Sequence, residues 1–393
     1  MLILKLAFKN ITHAGIRTWL NVTVLSFSFV LLIWTQGMYD GMSVQVKDAM
    51  IETEIGGGQF WQQNYDPYDP FTIEDAHAQI SAQLNQTIQN GDATPILITS
   101  SALFVGGHVH SALLKGINPD QKILNFPTEQ LNKKEFADDI PALIGTRMAK
   151  STGLKAGDYV TVRWKDINGT FDAVDLRIVD IMSTQVQAID AGCIWLPYNK
   201  LTEMMDAPNQ ATIVVLNKNI ETIPAGGPDW IFRDYDFLLH DINRLVEQKK
   251  SGTYVMYILL LGMALLAVFD TQVLAIFRRR KEMGTMMAMG MTRGNVISLF
   301  TLEGTMHGIL AIIVGAIYGI PLMNYTAATG IGLPETMQQV GIAFGSTLYP
   351  KYGLQLYIGS SLILFVSVLI VSFLPTRKIA KLKPTDALRG KMS

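Results

Sequence analysis

Cysteine is almost absent from the sequence, because Cys193 is the single one among 393 residues. One cysteine cannot form an intrachain disulfide or a cysteine-based metal cluster, so packing must stabilise any exported part of the chain. His108 and His110 lie two residues apart and would point the same way on a strand. Without a third ligand in the sequence pattern, we interpret them as surface histidines and expect no metal site.

An excess of charge of one sign is missing too, since 32 basic residues oppose 33 acidic ones. This balance gives no reason to expect nucleic-acid binding. The sequence also lacks G-x-x-x-x-G-K-[ST], H-E-x-x-H and G-x-S-x-G. The absence of these signatures predicts a chain that is not an enzyme and holds no cofactor itself; any use of ATP would need a separate protein.

Long apolar runs, in contrast, are present. A membrane-spanning helix needs about 20 apolar residues, and four runs qualify: 19–38, 254–277, 296–323, which we expect Pro321 to break near its end, and 354–374. The first run is too long for a signal peptide and has no small-residue cleavage site, so it predicts an anchor. About 215 residues separate the first two runs.

Basic residues predict how these helices are oriented, because Lys and Arg beside a membrane stay on its cytoplasmic side. They are concentrated in three stretches: 1–18, 278–295 and 375–393. The stretch 324–353 contains a single basic residue, Lys351. We therefore predict a multi-pass protein of the bacterial inner membrane, with both termini cytoplasmic, a short periplasmic loop at 324–353 and a large periplasmic insertion at 39–253.

The pattern of the insertion is that of an α+β domain on a helical stalk. We expect two lobes, a helix capped by Thr72 that runs to Ile88, and another helix over 142–151. Strands are predicted at 94–105, 109–115, 159–164, 174–182, 193–197 and 211–216, with a short helix at 200–205. The stalk would comprise 38–55 and 233–253, and the helix entering the second membrane run would start near Arg233.

Polar residues inside the membrane are costly and are therefore candidate functional residues. Asp270, Glu303 and His307 lie within the apolar runs. Glu303 and His307 are four residues apart on one helical face and could share a proton or a hydrogen bond. A structural role is the favoured interpretation; a proton relay or an intramembrane enzyme is the alternative.

A methionine-rich stretch follows the second membrane run and includes Met283, Met287, Met289 and Met291. Two interpretations remain open for it. It could pack on the chain's own membrane helices, or it could offer an adaptable surface to a partner's groove, because methionine side chains repack easily.

Several motifs resemble one known family. Residues 279–284 (RRKEMG) and 287–293 (MAMGMTR), followed by 300–304 (FTLEG), are similar to the cytoplasmic and third-helix motifs of FtsX-like permeases. The ending 375–389 and the lead 5–10 resemble the family's termini, and 143–158 and 114–119 resemble parts of its periplasmic domain. The family's usual isoleucine before the glycine is Met283 here. Its members include macrolide exporters and lipoprotein-release permeases of ABC transporters.

The resemblance implies a role for each segment. An amphipathic helix would occupy 1–18, and 278–295 would be a coupling helix that docks on a cytoplasmic ABC ATPase dimer, which binds ATP and Mg, with the tail along the same surface. The ATPase-coupling residues carried over from the motif are Arg279, Arg280, Lys281, Glu282, Met283, Gly284, Met287, Met289, Gly290 and Arg293.

A second permease subunit, identical or paralogous, would pair through the first two helices. The implied function is mechanotransmission that releases lipoproteins from the inner membrane. The alternatives are export of drugs or peptides, or signalling to a cell-wall hydrolase without transport; each implies a lipoprotein or a periplasmic partner.

Overall fold

A computed structural model describes residues 16–132, 139–183, 187–332 and 347–377. Most of the predicted lead 1–18, the tail from 378 onward and the middle of the predicted loop 324–353 lie outside these residues. The chain divides into two compact units. The first comprises 1–42, 245–332 and 348–393, and the second comprises 43–244 and 333–347.

Among the described residues, four helices are long and apolar enough to cross a membrane, as the hydropathy predicts. Membrane helix 1 is Ile16–Met50, membrane helix 2 is His240–Arg278, membrane helix 3 is Arg293–Thr329 and membrane helix 4 is Leu354–Thr376. Pro321 lies inside membrane helix 3 and does not end it, so the predicted break there is wrong. Helices in membranes tolerate proline where local adjustments satisfy the freed backbone group.

Membrane helix 2 does not begin near Arg233, because Arg233 ends a strand. A short helix, Tyr235–Leu238, follows, capped by the Asp234 side chain, which accepts a hydrogen bond from the amide of Phe237. The 39 residues from His240 correspond to a length of about 58 Å at 1.5 Å per residue. The helix is therefore shorter than predicted.

Small residues bring the membrane helices close together. A Cβ atom at Gly304 would lie 2.4 Å from Ser372 Oγ and 2.9 Å from Gln272 Nε2. Leu25, Ile33, Val268 and other apolar residues form the core of this unit. Interhelical polar contacts add to it, including Asn21 Nδ2 to Thr271 Oγ1 at 2.6 Å. Close backbone approach of this kind is how membrane helices associate.

The second unit is built on strands. Its strands, in chain order, are β1 (Gln59–Gln62), β2 (Ala78–Gln79), β3 (Ala93–Val105), β4 (His108–Ile117), β5 (Ile140–Gly145), β6 (Tyr159–Lys165), β7 (Phe171–Met182), β8 (Cys193–Pro197), β9 (Gln210–Ala211), β10 (Ile213–Leu216) and β11 (Trp230–Arg233). Two short strands, β12 (Ile331–Gly332) and β13 (Thr347–Leu348), follow later in the chain. Short helices occupy Ala82–Gln89, Thr146–Thr152, Gln187–Gly192 and Tyr198–Met204, with a 3₁₀ turn at Thr128–Asn132.

Nine of these strands form one sheet in the order β11-β1-β10-β3-β4-β8-β5-β7-β6. The sheet closes on itself because β3 also pairs with β6, through Ser101↔Trp164 to Phe104↔Thr161. The first half of β3 pairs instead with β10. Six strands therefore form a closed ring, in the order β3-β4-β8-β5-β7-β6. Strands β10, β1 and β11 continue the sheet from β3 outside this ring. The two lobes predicted from the sequence are one continuous sheet.

Two of the predicted helices are wrong in position. Ser81, not Thr72, caps the first one: its hydroxyl accepts from Leu84 N at 3.3 Å, and the helix starts at Ala82. Thr72 lies in a turn, where its hydroxyl bonds back to the Asp69 carbonyl at 2.9 Å. Competition of this kind between side chain and backbone favours turns over helices.

The second misplaced helix starts after a strand. Residues 140–145 form β5, and the helix begins at Thr146. The apolar run Ala142 to Ile144 is buried between β7 and β8, so tertiary contacts decide its conformation.

The junction after membrane helix 1 is tied firmly into the sheet. A π-helical turn, Ile51–Ile55, leads into Gly56, whose φ is +61°. Gly57 N donates to Leu216 O at 2.6 Å, and Leu216 N donates to Gly58 O at 2.9 Å. The Tyr235 hydroxyl donates to Gly56 O at 2.9 Å. We call residues 51–58 the sheet junction.

Candidate functional site

The segment between membrane helices 2 and 3 carries most of the predicted site residues. A short helix, Arg280–Ala288, is followed by Gly290, whose φ of +97° favours glycine. The Thr292 hydroxyl then accepts from Asn295 N at 3.3 Å and caps membrane helix 3. We call residues 279–293 the elbow; its last residue, Arg293, is also the first residue of membrane helix 3.

Arg279 fixes the elbow to membrane helix 3. Its Nη1 lies 2.8 and 2.9 Å from the two carboxylate oxygens of Glu303, and its Nε lies 2.7 Å from Glu282 Oε2. The guanidinium also stacks over the Phe300 ring, 4.9 Å from its centroid. Partial burial disfavours the charge of Arg279, but the hydrogen bond to Glu282 and the charge of Glu303 outweigh it and raise its pKa. Arg279 therefore stays cationic and is engaged within the chain.

Met283 supplies the apolar half of the same attachment. It is fully buried and forms a cluster with Val296 and Phe300. Met287 and Met291 pack around this cluster and are half-buried, and Gly284 is buried as well. Part of the methionine-rich stretch thus packs on the chain's own helices, which is one of the two interpretations left open by the sequence.

The opposite side of the elbow is open. Met289 is 76% exposed, and Lys281, Glu282, Gly290 and Arg293 are exposed too. Arg280 is half-buried, and its Nε has no hydrogen-bond partner among the described residues. The predicted site residues thus separate into two sets: an inner face of Arg279, Met283 and Gly284, and an outer face defined by Lys281, Met289 and Arg293.

The structure places the three intramembrane candidates in different settings. Glu303 accepts the two bonds from Arg279. His307 is 94% buried, and its Nδ1 lies 3.2 Å from the Glu303 carbonyl and 3.1 Å from the Gly304 carbonyl. An Nδ1 that faces carbonyl oxygens is the donating nitrogen. Asp270 is exposed on membrane helix 2.

This arrangement favours the structural interpretation of Glu303 and His307. The carboxylate of Glu303 is held by a cation, while the ring of His307 is held by the main chain. Sequence reasoning missed the Arg279–Glu303 pair because the two residues are 24 positions apart and were assigned to different segments. A basic residue at a helix end and an acidic residue about three turns into the next helix are the signal that could have indicated it.

The rest of the described chain offers few alternatives for chemistry. Within residues 16–132, 139–183, 187–332 and 347–377, no group of three His, Cys, Asp or Glu residues could hold a metal ion. Cys193 is 98% hidden from solvent in β8, and burial raises the pKa of its thiol. A buried cysteine of this kind is inert.

Comparison with known proteins agrees with the motifs. Residues 254–384 match the FtsX-like permease C-terminal domain. The lipoprotein-releasing system transmembrane protein LolC of Neisseria meningitidis is 19% identical over 330 residues, which cover 76% of this chain and 77% of LolC. The macrolide export ATP-binding/permease protein MacB of Neisseria gonorrhoeae is 23% identical over 246 residues, 54% of this chain and 33% of MacB.

Among solved structures, the extracellular domain of the noncanonic ABC-type transporter YknZ is similar at 14% identity and a TM-score of 0.26, covering 42% of this chain and 84% of that one. The family match overlaps the elbow and membrane helices 2 to 4. Residues 254–384 therefore carry an FtsX-like permease domain, and four of the described helices could cross a membrane. Over the aligned residues it is similar to the ABC transporter proteins LolC and MacB.

Proposed function

We propose that this chain is the membrane subunit of an ABC transporter, and that the outer face of the elbow docks on a separate cytoplasmic ATPase. The main support for this proposal is that the elbow has two distinct faces. The inner face is attached to membrane helix 3 by an ion pair and a buried methionine. The outer face presents an exposed methionine between two cations, Lys281 and Arg293.

Such a surface suits a protein groove. A methionine side chain is flexible and adapts its shape to a partner. The flanking cations would steer an acidic partner and set its register. The ATPase would bind ATP and Mg, and the permease chain itself would hydrolyse nothing.

ATP binding would then bias a two-state movement of the membrane helices. Because Arg279 and Met283 attach the elbow to membrane helix 3, force applied to the outer face would pass into that helix rather than bend the elbow. Movement of membrane helix 1 would reach the sheet through the backbone hydrogen bonds of the sheet junction. The large sheet domain would act on the extracytoplasmic side of the inner membrane, with both termini in the cytoplasm.

We propose lipoprotein release as the work done by this movement. The LolC alignment, which covers about three quarters of both chains, supports it. Pairing with a second permease subunit, identical or paralogous, would complete the membrane part. Drug or peptide export and signalling to a cell-wall hydrolase remain the competing functions.

Affinity purification from native membranes under nucleotide-trapping conditions tests the proposal. An ABC ATPase should co-purify with the unaltered chain, and Lys281→Glu or Arg293→Glu should lose it. Lys155→Glu, an exposed basic position in the sheet domain, is the matched control and should retain it. If no ATPase associates with any of these proteins, the proposal fails.

The same purification separates the competing functions. Lipoproteins among the co-purified proteins would support release. A periplasmic adaptor would indicate export, and a cell-wall amidase would indicate signalling.

A further inference from the structure

A groove of about 430 Å³ runs along the membrane unit between membrane helices 1, 3 and 4. Val30 and Ile33 line it from membrane helix 1, Ala316 and Ile320 from membrane helix 3, and Leu354 from membrane helix 4. Its volume falls within the range of about 300–1,000 Å³ that is typical of ligand sites. The groove belongs to neither the elbow nor the exposed part of membrane helix 2.

Small side chains explain why the groove is open. Gly315, Ala316 and Gly319 contribute almost no side-chain volume to its wall. The two glycines also let the helices approach closely, since a Cβ atom at Gly319 would lie 2.8 Å from Val30 Cγ2 and one at Gly315 would lie 3.0 Å from Phe29 Cδ1. The floor of the groove is therefore closed where the backbone of membrane helix 3 packs against side chains of membrane helix 1.

Apart from Ser361, which lines it from membrane helix 4, the groove is apolar along its length, and it is polar at one end. Asn324 lies at that end, and the Tyr357 hydroxyl, 3.4 Å from Met323 Sδ, lies beside it. The neighbouring Thr326 and Tyr352 hydroxyls are 3.2 Å apart. Tyrosines at the end of a membrane span mark the level of the lipid headgroups.

The backbone of a basic residue lies near this polar end. Lys351 is the single basic residue between 324 and 353 and precedes Leu354, a lining residue, by three positions. Its amide donates to Gly37 O at 2.9 Å, which holds this part of the backbone against membrane helix 1, one turn beyond Ile33. A phosphate at the headgroup level would find a positive charge here.

Size and chemistry argue against water and against a helix as the occupant. An apolar groove is not a site for water, which needs two to four polar partners. One turn of a helix that is about 10–12 Å across with its side chains already occupies roughly 420–610 Å³, so a groove of about 430 Å³ does not enclose a helix of a second copy. A single unbranched acyl chain fits a narrow apolar groove with one polar end.

We propose that this groove binds one acyl chain of a membrane phospholipid from the leaflet that contains the Leu354 end of membrane helix 4, with the phosphate beside Lys351. Bound lipid would fill the space that the small residues leave and would hold membrane helices 1, 3 and 4 as one body. This inference is independent of the elbow's proposed partner.

Photo-crosslinking tests it with the full chain in nanodiscs of phosphatidylethanolamine that include a tracer of the same lipid with a diazirine in its acyl chain. Labelling should concentrate on the peptides that contain residues 312–324 and 354–361. Ala316→Phe fills the groove, and labelling there should fall about tenfold, which corresponds to roughly 1.4 kcal/mol of binding free energy. Ile317→Phe, at the adjacent position, which is 70% exposed, is the matched control and should label like the unaltered chain.

Two further arms keep the test decisive. Ser361→Trp fills the groove from membrane helix 4 and should reproduce the loss if Ala316→Phe fails to fold. Lys351→Glu should lower labelling by the phospholipid but not by a diazirine fatty acid. Equal labelling of the Ala316→Phe and Ile317→Phe proteins would overturn the site. Equal labelling of the Lys351→Glu and unaltered proteins by the phospholipid would overturn the assignment to a phosphate-bearing lipid.

Discussion

The sheet junction and the elbow solve the same problem in opposite ways. Each turns the chain at the end of a membrane helix, and each uses a glycine with positive φ, Gly56 or Gly290. At the junction, backbone hydrogen bonds hold the turn from several sides, including Asn125 N to Glu52 O at 2.7 Å and Gly57 N to Leu216 O at 2.6 Å. The elbow is held from its inner face and keeps an open outer face.

The difference indicates what each turn is for. A turn held from several sides transmits movement without yielding and offers little surface to another protein. A turn held from one side is positioned accurately and still has a free face for recognition. Preorganised surfaces bind better because less conformational entropy is lost on binding.

A side chain added at Gly57, in the sheet junction, should have the largest effect on stability. A Cβ atom at Gly57 would lie 2.2 Å from the backbone oxygen of Asn217, which cannot move without breaking the sheet. Gly57→Ala should therefore cost about 4 kcal/mol of unfolding free energy, which is exceptional for one substitution. Thermal unfolding of the purified chain measures it.

Gly252→Ala is the control for that change. Gly252 lies in membrane helix 2, and nothing comes within 4 Å of a Cβ atom built there. Its replacement should leave the melting temperature unchanged or raise it. Equal melting temperatures for the Gly57→Ala and unaltered proteins would show that the junction is looser than its hydrogen bonds indicate.

Removal of the buried Met283 side chain from the inner face of the elbow should have the second-largest effect on stability. Met283 is fully buried, so Met283→Ala should cost about 3 kcal/mol through lost contacts and the cavity left behind. Met289→Ala, in the same stretch but 76% exposed, should cost less than about 0.5 kcal/mol. Paired melting curves test the distinction; similar losses for both would contradict the two-faced elbow.

Breaking the ion pair should have a smaller effect. Arg279→Ala or Glu303→Ala should each cost about 2 kcal/mol, below the usual cost of breaking a buried pair, because both side chains keep some contact with solvent. Double-mutant analysis of the two single variants and the double variant should give a coupling energy of about 1–2 kcal/mol. Additive losses would mean that the pair does not act as a unit.

Much of this architecture was predictable because membrane helices leave strong signals. Length, hydropathy and flanking charge predict the four apolar helices, and membrane helix 4 starts at Leu354 as predicted. Alternation and punctuation also predicted most strands, including Cys193–Pro197. The first helix of the insertion was predicted wrongly for a local reason. Ala76, Ile80, Leu84 and Ile88 recur at i+4 spacing, which indicates one helix. The first two of these positions precede Ser81, which caps the helix that is observed.

The closed ring and the inner face of the elbow could not be predicted, for a shared physical reason. Both depend on contacts between distant positions, such as Ser101 with Trp164 and Arg279 with Glu303. No local pattern encodes such pairs. The motif at 279–293 located the elbow but gave no means of separating Arg279, which points inward, from Lys281, which points outward.

Lys281→Glu should have the smallest effect on stability and the largest effect on ATPase binding. Charge reversal at Lys281 replaces one exposed side chain with another and should change the unfolding free energy by no more than about 0.5 kcal/mol. Melting curves of the Lys281→Glu protein, beside the ATPase pull-down, measure both quantities. A large loss of stability would mean that Lys281 supports the fold and would remove the basis for assigning it to docking.

A photo-reactive amino acid placed at Met289 gives the most direct test of the elbow as a docking surface. The matched position is Leu266 on membrane helix 2, which is similarly exposed at 63% but lies within the apolar span. Irradiation of cells should crosslink the chain to an ABC ATPase from position 289 and not from position 266. Absence of an ATPase adduct at position 289, or equal adducts at both positions, would contradict the account.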